Sequence, residues 1–181
     1  MHAPLPTGTV TLMFTDIEGS TRLLERLGEA YADALAEHRR VLREAFEHHR
    51  GVEVETEGDA FFVAFTSAND ALAAAIEGRD ALARSGEIRV RIGMHTGEPI
   101  VSDEGYVGMD VHRAARIGAA GHGGQILLSE ATRALVADAD VRDLGRHGLK
   151  DIGVVHLFQV GGEDFPPLRS LGPSVRCPTE Q

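Results

Sequence analysis

Phe14–Thr21 reads FTDIEGST and places an acidic residue where a buried strand gives way to a helix. The run before it, Val10-Thr11-Leu12-Met13-Phe14, is β-branched, apolar and aromatic, the composition of a strand inside a core. Asp16 falls at the strand's end. Gly19 relaxes the backbone there, and Ser20 or Thr21 offers a hydroxyl to cap the following helix. A carboxylate at the end of a central strand, beside a turn whose N–H groups point outward, can hold a divalent metal and a phosphate. The same residue types also make an ordinary turn, so the stretch needs a partner elsewhere in the chain.

The rest of the sequence gives that strand a setting. Its 181 residues are 43% hydrophobic, enough for one compact domain with a real core. The net charge of −10 argues against non-specific nucleic-acid binding but leaves room for a small anion beside a local basic cluster. One cysteine, Cys177, excludes an internal disulfide framework and fits a reducing compartment, so a cytoplasmic protein is expected. There is no apolar run of transmembrane length and no signal-peptide pattern in MHAPLPTG. Of the 18 basic residues only Lys150 is a lysine, which singles it out as a place where a compact ammonium serves better than a guanidinium fork.

Leu24, Leu27, Tyr31, Leu35, His38, Leu42 and Phe46 recur three and four apart and predict one long helix from Arg22 to Arg50, with Gly51 just past its end. Val52–Thr56 and Ala60–Phe65 read as strands joined by a tight turn at Glu57-Gly58-Asp59. Ser67 caps a second helix to about Leu82, Ile88–His95 is a strand, and Gly97–Gly105 a loop. A helix over Gly108–Ala120 is closed by Gly121. Gln125–Leu128 is a short strand, Ser129 caps a short helix, and Val141–Leu144 and Val154–Val160 are the last strands. The mixed order predicts an α+β fold, a central sheet with helices on one face. The domain is expected over residues 1–162. Residues 163–181, rich in Pro, Ser and Gly, read as a tail or the start of a linker.

The Glu57-Gly58-Asp59 turn puts a second carboxylate at a strand end. If that strand lies beside the first, Asp16 and Asp59 converge, and such a pair can bind two divalent ions, as two-metal phosphoryl transfer requires. Further motifs follow in order: ETEGDAFFVAF (Glu55–Phe65), RIGMHTGE (Arg91–Glu98), YVGMDVHRAARI (Tyr106–Ile117), GGQILLS (Gly123–Ser129) and GLKDI (Gly148–Ile152). With FTDIEGST they make Thr7–Val160 resemble the class III nucleotidyl cyclase catalytic domain, the adenylate and guanylate cyclases. The likeness is strongest to bacterial domains that sometimes precede large regulatory ATPase modules, to which FPPLRSL would fit as the start of a linker.

The resemblance implies a ferredoxin-like domain, central mostly antiparallel sheet flanked by helices, pairing head to tail as a homodimer with active sites in the cleft. It implies Asp16, Asp59 and the Ile17 carbonyl as ligands of two divalent cations, Mg2+ or Mn2+. The ribose 3′-oxygen of ATP or GTP would attack the α-phosphorus, and pyrophosphate would leave. Arg116 matches the arginine that stabilises charge on the α-phosphate, Lys150 the phosphate-binding lysine, and Arg91 a phosphate-contacting arginine.

Two positions depart from the family pattern. His112, one helical turn before Arg116, stands where active members usually carry an asparagine that orients the ribose. Losing one oriented transition-state donor costs roughly a hundredfold to a thousandfold in rate. The base-selecting pair falls on Glu55 and on Gly105 or a neighbour, Glu104 among them. Glu55 matches the glutamate of guanylate cyclases and suits the N1–H and amino group of guanine, whereas Gly105 has no side chain to offer. Two readings therefore stand: a cyclase, slow if His112 serves poorly, or a degenerate domain that binds nucleotide or a partner. A diguanylate cyclase shares the two-carboxylate logic but lacks a counterpart here to its GG-[DE]-E-F turn.

Overall fold

The computed structural model describes residues 3–169. Residues 170–181, most of the expected tail together with Cys177, lie outside the described residues. Strand β1 (Val10–Ile17) leads into helix α1 (Ser20–Leu27), a 3-10 turn (Gly28–Ala30) and helix α2 (Tyr31–His48). The hairpin β2 (Val52–Glu57) and β3 (Ala60–Phe65) follows, then helix α3 (Ala68–Ser85) and strand β4 (Val90–Gly97). A small hairpin, β5 (Ile100–Ser102) and β6 (Gly105–Val107), precedes helix α4 (Met109–Ala120). Strand β7 (Ile126–Ser129), helix α5 (Glu130–Leu135) and strands β8 (Val141–Leu149) and β9 (Gly153–Val160) complete the domain.

Seven strands form one sheet in the order β2-β3-β1-β4-β7-β9-β8. All neighbours are antiparallel except β4 and β7, which pair parallel from Ile92↔Ile126 to Met94↔Leu128. The fold is thus α+β with a mainly antiparallel sheet, as expected. The expectation of helices on one face is corrected. Met13, Phe61, Phe65, Ile92 and Leu128 pack under α2 and α3, while Leu12, Phe62, Ala64 and Ala114 form a second cluster under α4 on the opposite face. Val10 to Met13 are accordingly buried at four successive positions, as a strand covered on both faces must be.

Local chemistry explains the other differences. The single helix expected from Arg22 to Arg50 breaks at Gly28, whose φ of 55° leaves helical geometry, and the two halves pack separately against the core. Neither Ser20 nor Thr21 caps α1. Gly19 takes the cap position at φ 69° and no side chain bonds to the freed N–H groups there, which leaves them facing outward. The expected caps at Ser67 and Ser129 are present: Asp70 N–H donates to Ser67 Oγ and Thr132 N–H to Ser129 Oγ. The segment expected to be a loop after Gly97 contains the β5–β6 hairpin.

Candidate active site

Two cavities flank the catalytic motifs. The pairing of β1 with β3 runs Thr15↔Phe61, so the next residues, Asp16 and the Asp59 turn, meet at one end of the sheet. Ile17 N–H donates to Asp59 Oδ2 at 2.7 Å, which ties the two acidic strand ends together. On the other side of β1, Asp16 lies opposite Arg91 of β4. The guanidinium grips it with both arms, Nε to Oδ1 at 2.5 Å and Nη2 to Oδ2 at 2.8 Å, and a third N–H reaches Ala119 O at 3.1 Å. This bidentate pair holds the Arg91 proton more tightly than usual, its largest cause being the hydrogen bond to Asp16. Arg91 is therefore placed on Asp16 itself, beside the Ile17–Gly19 turn.

Asp16, Asp59 and the Ile17 carbonyl are hard oxygen donors, the set preferred by Mg2+ and Mn2+ over softer metals. Each carboxylate oxygen has two lone pairs, so Asp16 and Asp59 retain acceptor capacity beyond the bonds they make here. The residues fit a divalent cation. Beside them, a cavity of about 640 Å3 is lined by Ile17, Glu18, Gly19 and the arginines Arg22, Arg26, Arg89 and Arg169. With the open N-terminus of α1, the cavity combines these four guanidinium groups with the carboxylates of Glu18 and Glu87, which pair with Arg169 and Arg26 and leave Arg22 and Arg89 outside those pairs.

The second cavity, about 510 Å3, opens between β2 and α4. Glu55, Glu104 and His112 line it with Phe14, Phe62 and Tyr106. Phe14 and Phe62 stack at 4.4 Å and present an apolar wall. Gly105 does not line the cavity; its φ of 119° and its position against Val54 suit a turn that lets Glu104 face inward instead. His112 and Arg116 share one face of α4, four residues apart. Arg116 Nη2 lies 3.3 Å from Asp151 Oδ2 in the β8–β9 turn, next to Lys150, which is exposed. The structure thus gathers Glu55 and His112 in one cavity, Arg116 beside Lys150, and Asp16, Ile17, Asp59 and Arg91 at the strand end.

A buried polar chain sets the rotation of α4. Thr11 bonds Thr96 at 2.8 Å, Thr96 bonds Thr132 at 3.0 Å, and His95 bridges Ser129 and Asp110, both at 2.8 Å. Burial pushes the His95 imidazole toward its neutral form, with Asp110 pulling the other way. Gly97 has no Cβ because one there would stand 2.2 Å from Asp110 Oδ2. Gly93 is tighter still: a Cβ would lie 2.1 Å from Gly118 N of α4. The glycines of RIGMHTGE therefore let α4 sit directly on the sheet.

Sequence reasoning missed Glu18, Arg22, Arg26, Arg89 and Arg169. Arg22 and Arg26 are four apart on α1 just after the acidic strand end, a signal that was legible. Arg169 carried none, because the segment around it has no periodicity.

An α+β sheet with two paired acidic strand ends and α4 packed glycine-to-glycine on β4 defines the class III nucleotidyl cyclase fold. The chain belongs to the adenylate and guanylate cyclase catalytic domain family, whose sequence model matches residues 3–160. Uncharacterised proteins of Mycobacterium tuberculosis and Mycobacterium bovis are 45% identical over 178 residues, 91% of this chain and 61% of theirs. The chain thus spans about three fifths of the length of these relatives. An adenylate cyclase of Podospora anserina is 33% identical over 71% of this chain and 7% of its own. Among solved structures, an adenylate cyclase from Trypanosoma brucei superposes with a TM-score of 0.83 at 29% identity, covering 93% of this chain and 98% of that one. No helix among the described residues is long and apolar enough to cross a membrane.

Proposed function

We propose that the protein is a nucleotidyl cyclase that converts ATP or GTP to the 3′,5′-cyclic nucleotide and pyrophosphate at a head-to-tail homodimer interface, the output of a signalling domain. The observation that carries the reading is the Ile17–Asp59 hydrogen bond, which keeps two carboxylates and a backbone carbonyl together at one sheet end. Asp16, Asp59 and Ile17 would hold two divalent cations, Mg2+ or Mn2+. Bound there, the cations would acidify the ribose 3′-hydroxyl and neutralise the triphosphate. Arg116 stabilises the charge that grows on the α-phosphate, a preorganised role that matters most in the transition state. Lys150 and Arg91 bind phosphate oxygens. Glu55 accepts from the base edge, and His112 contacts the ribose with one donor in place of an amide.

The first test is incubation with ATP or GTP and Mn2+ or Mg2+, with chromatography for the cyclic product and Asp16→Ala as control. Product above that control is expected; none with any of the four combinations defeats the reading. A second reading, a nucleotide-binding or dimerisation module without turnover, is favoured by His112 and by the bidentate grip of Arg91 on Asp16. His112→Asn separates the two, since a rise in rate identifies a weakened enzyme. The Trypanosoma brucei structures were solved in their monomeric state, so the oligomer of this chain needs its own measurement by ultracentrifugation.

A further inference from the structure

The chain does not leave the domain at the end of β9. Residues 163–169 run back across the loop between α4 and β7 and are held there at several points. Arg142 Nη1 meets Asp164 Oδ1 at 3.0 Å, Gln159 Nε2 donates to Glu163 O at 2.7 Å, and Phe165 lies over Gly124. Leu168 packs against the cluster of Ile117, Leu127, Leu149 and Leu157. His122 Nε2 reaches Pro167 O at 2.9 Å, and Arg169 N–H donates to Ala120 O at 2.8 Å. The strap ends with the Arg169 guanidinium on Glu18.

Glu18 is where these contacts converge. One oxygen accepts from Gly123 N–H at 2.7 Å, and the other faces both His122 Nδ1 at 3.3 Å and Arg169. Its own N–H donates to Arg89 O at 3.2 Å. The carboxyl is held below its ordinary range against the cost of its partial burial by the Gly123 N–H, His122 and Arg169. Gly123 is required for this approach, because a Cβ there would stand 2.7 Å from Arg89 Cβ and 2.9 Å from Glu18 Oε2. Glu18 follows Ile17 directly and precedes Gly19, the left-handed residue that opens α1. Ala120 ends α4, the helix of His112 and Arg116. One carboxylate therefore joins the acidic strand end, the end of α4 and the chain beyond β9.

We propose that Arg169 is a positioning residue of the Ile17–Gly19 turn: by clamping Glu18 it fixes the backbone that presents the Ile17 carbonyl and the N-terminus of α1. A side chain outside the cyclase motifs thereby sets the geometry of the phosphate end of the site. The inference rests on the proposed function for its kinetic consequence, but its structural half is independent of turnover.

Hydrogen exchange by mass spectrometry on the whole chain tests it, comparing wild type with Arg169→Ala, Arg169→Lys, Glu18→Gln and Glu18→Gln/Arg169→Ala. Exchange over residues 17–24 and 120–124 is expected to rise at least about fivefold in Arg169→Ala, with β1 and β4 unchanged, and to be partly restored by lysine, which keeps the charge without the fork. The double variant should exchange no faster than Glu18→Gln alone, because Arg169 acts on the turn through Glu18. If the protein turns over nucleotide, KM for the metal–nucleotide complex should rise severalfold while kcat changes by less than about twofold. Unchanged exchange over 17–24, or an additive double variant, overturns the clamp even in an active enzyme. An inactive wild type with the expected exchange pattern would defeat the cyclase reading and leave the clamp standing.

Discussion

The Asp16–Arg91 pair allows a prediction whose sign is informative. In the proposed metal site a divalent cation would compete with the Arg91 guanidinium for the Asp16 carboxylate, so removing the guanidinium should tighten cation binding in the absence of nucleotide. The magnitude follows from the geometry. Hydrogen bonds to charged groups are worth roughly 1.5–3 kcal/mol when well buried, and two are made here at 2.5 and 2.8 Å. The Arg91 side chain is 18% exposed but Asp16 is 33% exposed, so solvent screens part of that energy and about 1–2 kcal/mol is a fair expectation. At 1.4 kcal/mol per tenfold, Mn2+ should bind Arg91→Gln roughly 5- to 30-fold more tightly than wild type. Arg91→Lys should fall between them, because an ammonium keeps the charge but cannot grip both oxygens. The assay is titration of free Mn2+ by electron paramagnetic resonance, with Asp16→Asn as the variant that loses the site. With nucleotide present the order should reverse, since the triphosphate then loses a cationic contact and KM rises. Equal or weaker Mn2+ binding by Arg91→Gln without nucleotide would refute the competition.

Further outcomes follow from the same geometry. Gly93→Ala should cost more than about 3 kcal/mol in thermal denaturation, because its Cβ would meet the α4 backbone at 2.1 Å. Gly118→Ala across the same contact, where the closest approach is 3.4 Å, should cost under about 1 kcal/mol. His38 is fully buried, and burial pushes its imidazole from 6.5 to about 4, with Asp59 and the Leu35 backbone pulling back and Arg39 adding to the depression. The unfolded chain therefore takes up the proton first. The contribution is full above pH 6.5 and is lost as pH falls toward 4, about 3 kcal/mol by linkage; denaturant unfolding of wild type should show it and His38→Leu should not. Mixing Asp59→Ala with Arg116→Ala subunits should restore activity from two inactive proteins, one intact site per mixed dimer; a silent mixture beside an active wild type would sink the shared site.

The legible parts of this molecule were those whose physics is local. A β-branched run ending in Asp16, serines ahead of periodic segments and a Gly-containing acidic turn each declare themselves within a few residues. What stayed hidden depended on packing between distant segments. The stripe from Leu24 to Phe46 keeps its spacing straight through Gly28, so periodicity could not show the break that separate packing of the two halves requires. Helix α4 meets the sheet through Ala114 and Gly118, residues too small to mark an apolar face strongly, so its place opposite α2 and α3 was not readable. Arg91 was readable as a basic strand residue near phosphate, but its grip on Asp16 comes from the β1–β4 register. The role of Glu18 required the closure of a segment 151 residues away.

The two cavities bear on how the domain must work. The cavity lined by Ile17, Glu18 and Arg22 and the cavity of Glu55, Glu104 and His112 share no lining residue. One nucleotide in the proposed reaction needs oxygen ligands for cations, cationic groups for phosphate, and contacts to ribose and base. The chain offers these in separate places: Ile17, the neighbour of Asp16, lines the first cavity, and Glu55 and His112 line the second. In the proposed homodimer, twofold symmetry would bring the first cavity of one copy to the second cavity of its partner twice over, giving two complete sites. Arg116 and Lys150, on the α4 and β8–β9 side, would then act across that proposed interface on a triphosphate held by the partner's acidic strand ends. Under this arrangement the Arg91–Asp16 pair has a clear use. It would neutralise the Asp16 carboxylate until cation and nucleotide arrive together, linking assembly of the proposed dimer to loading of the metal.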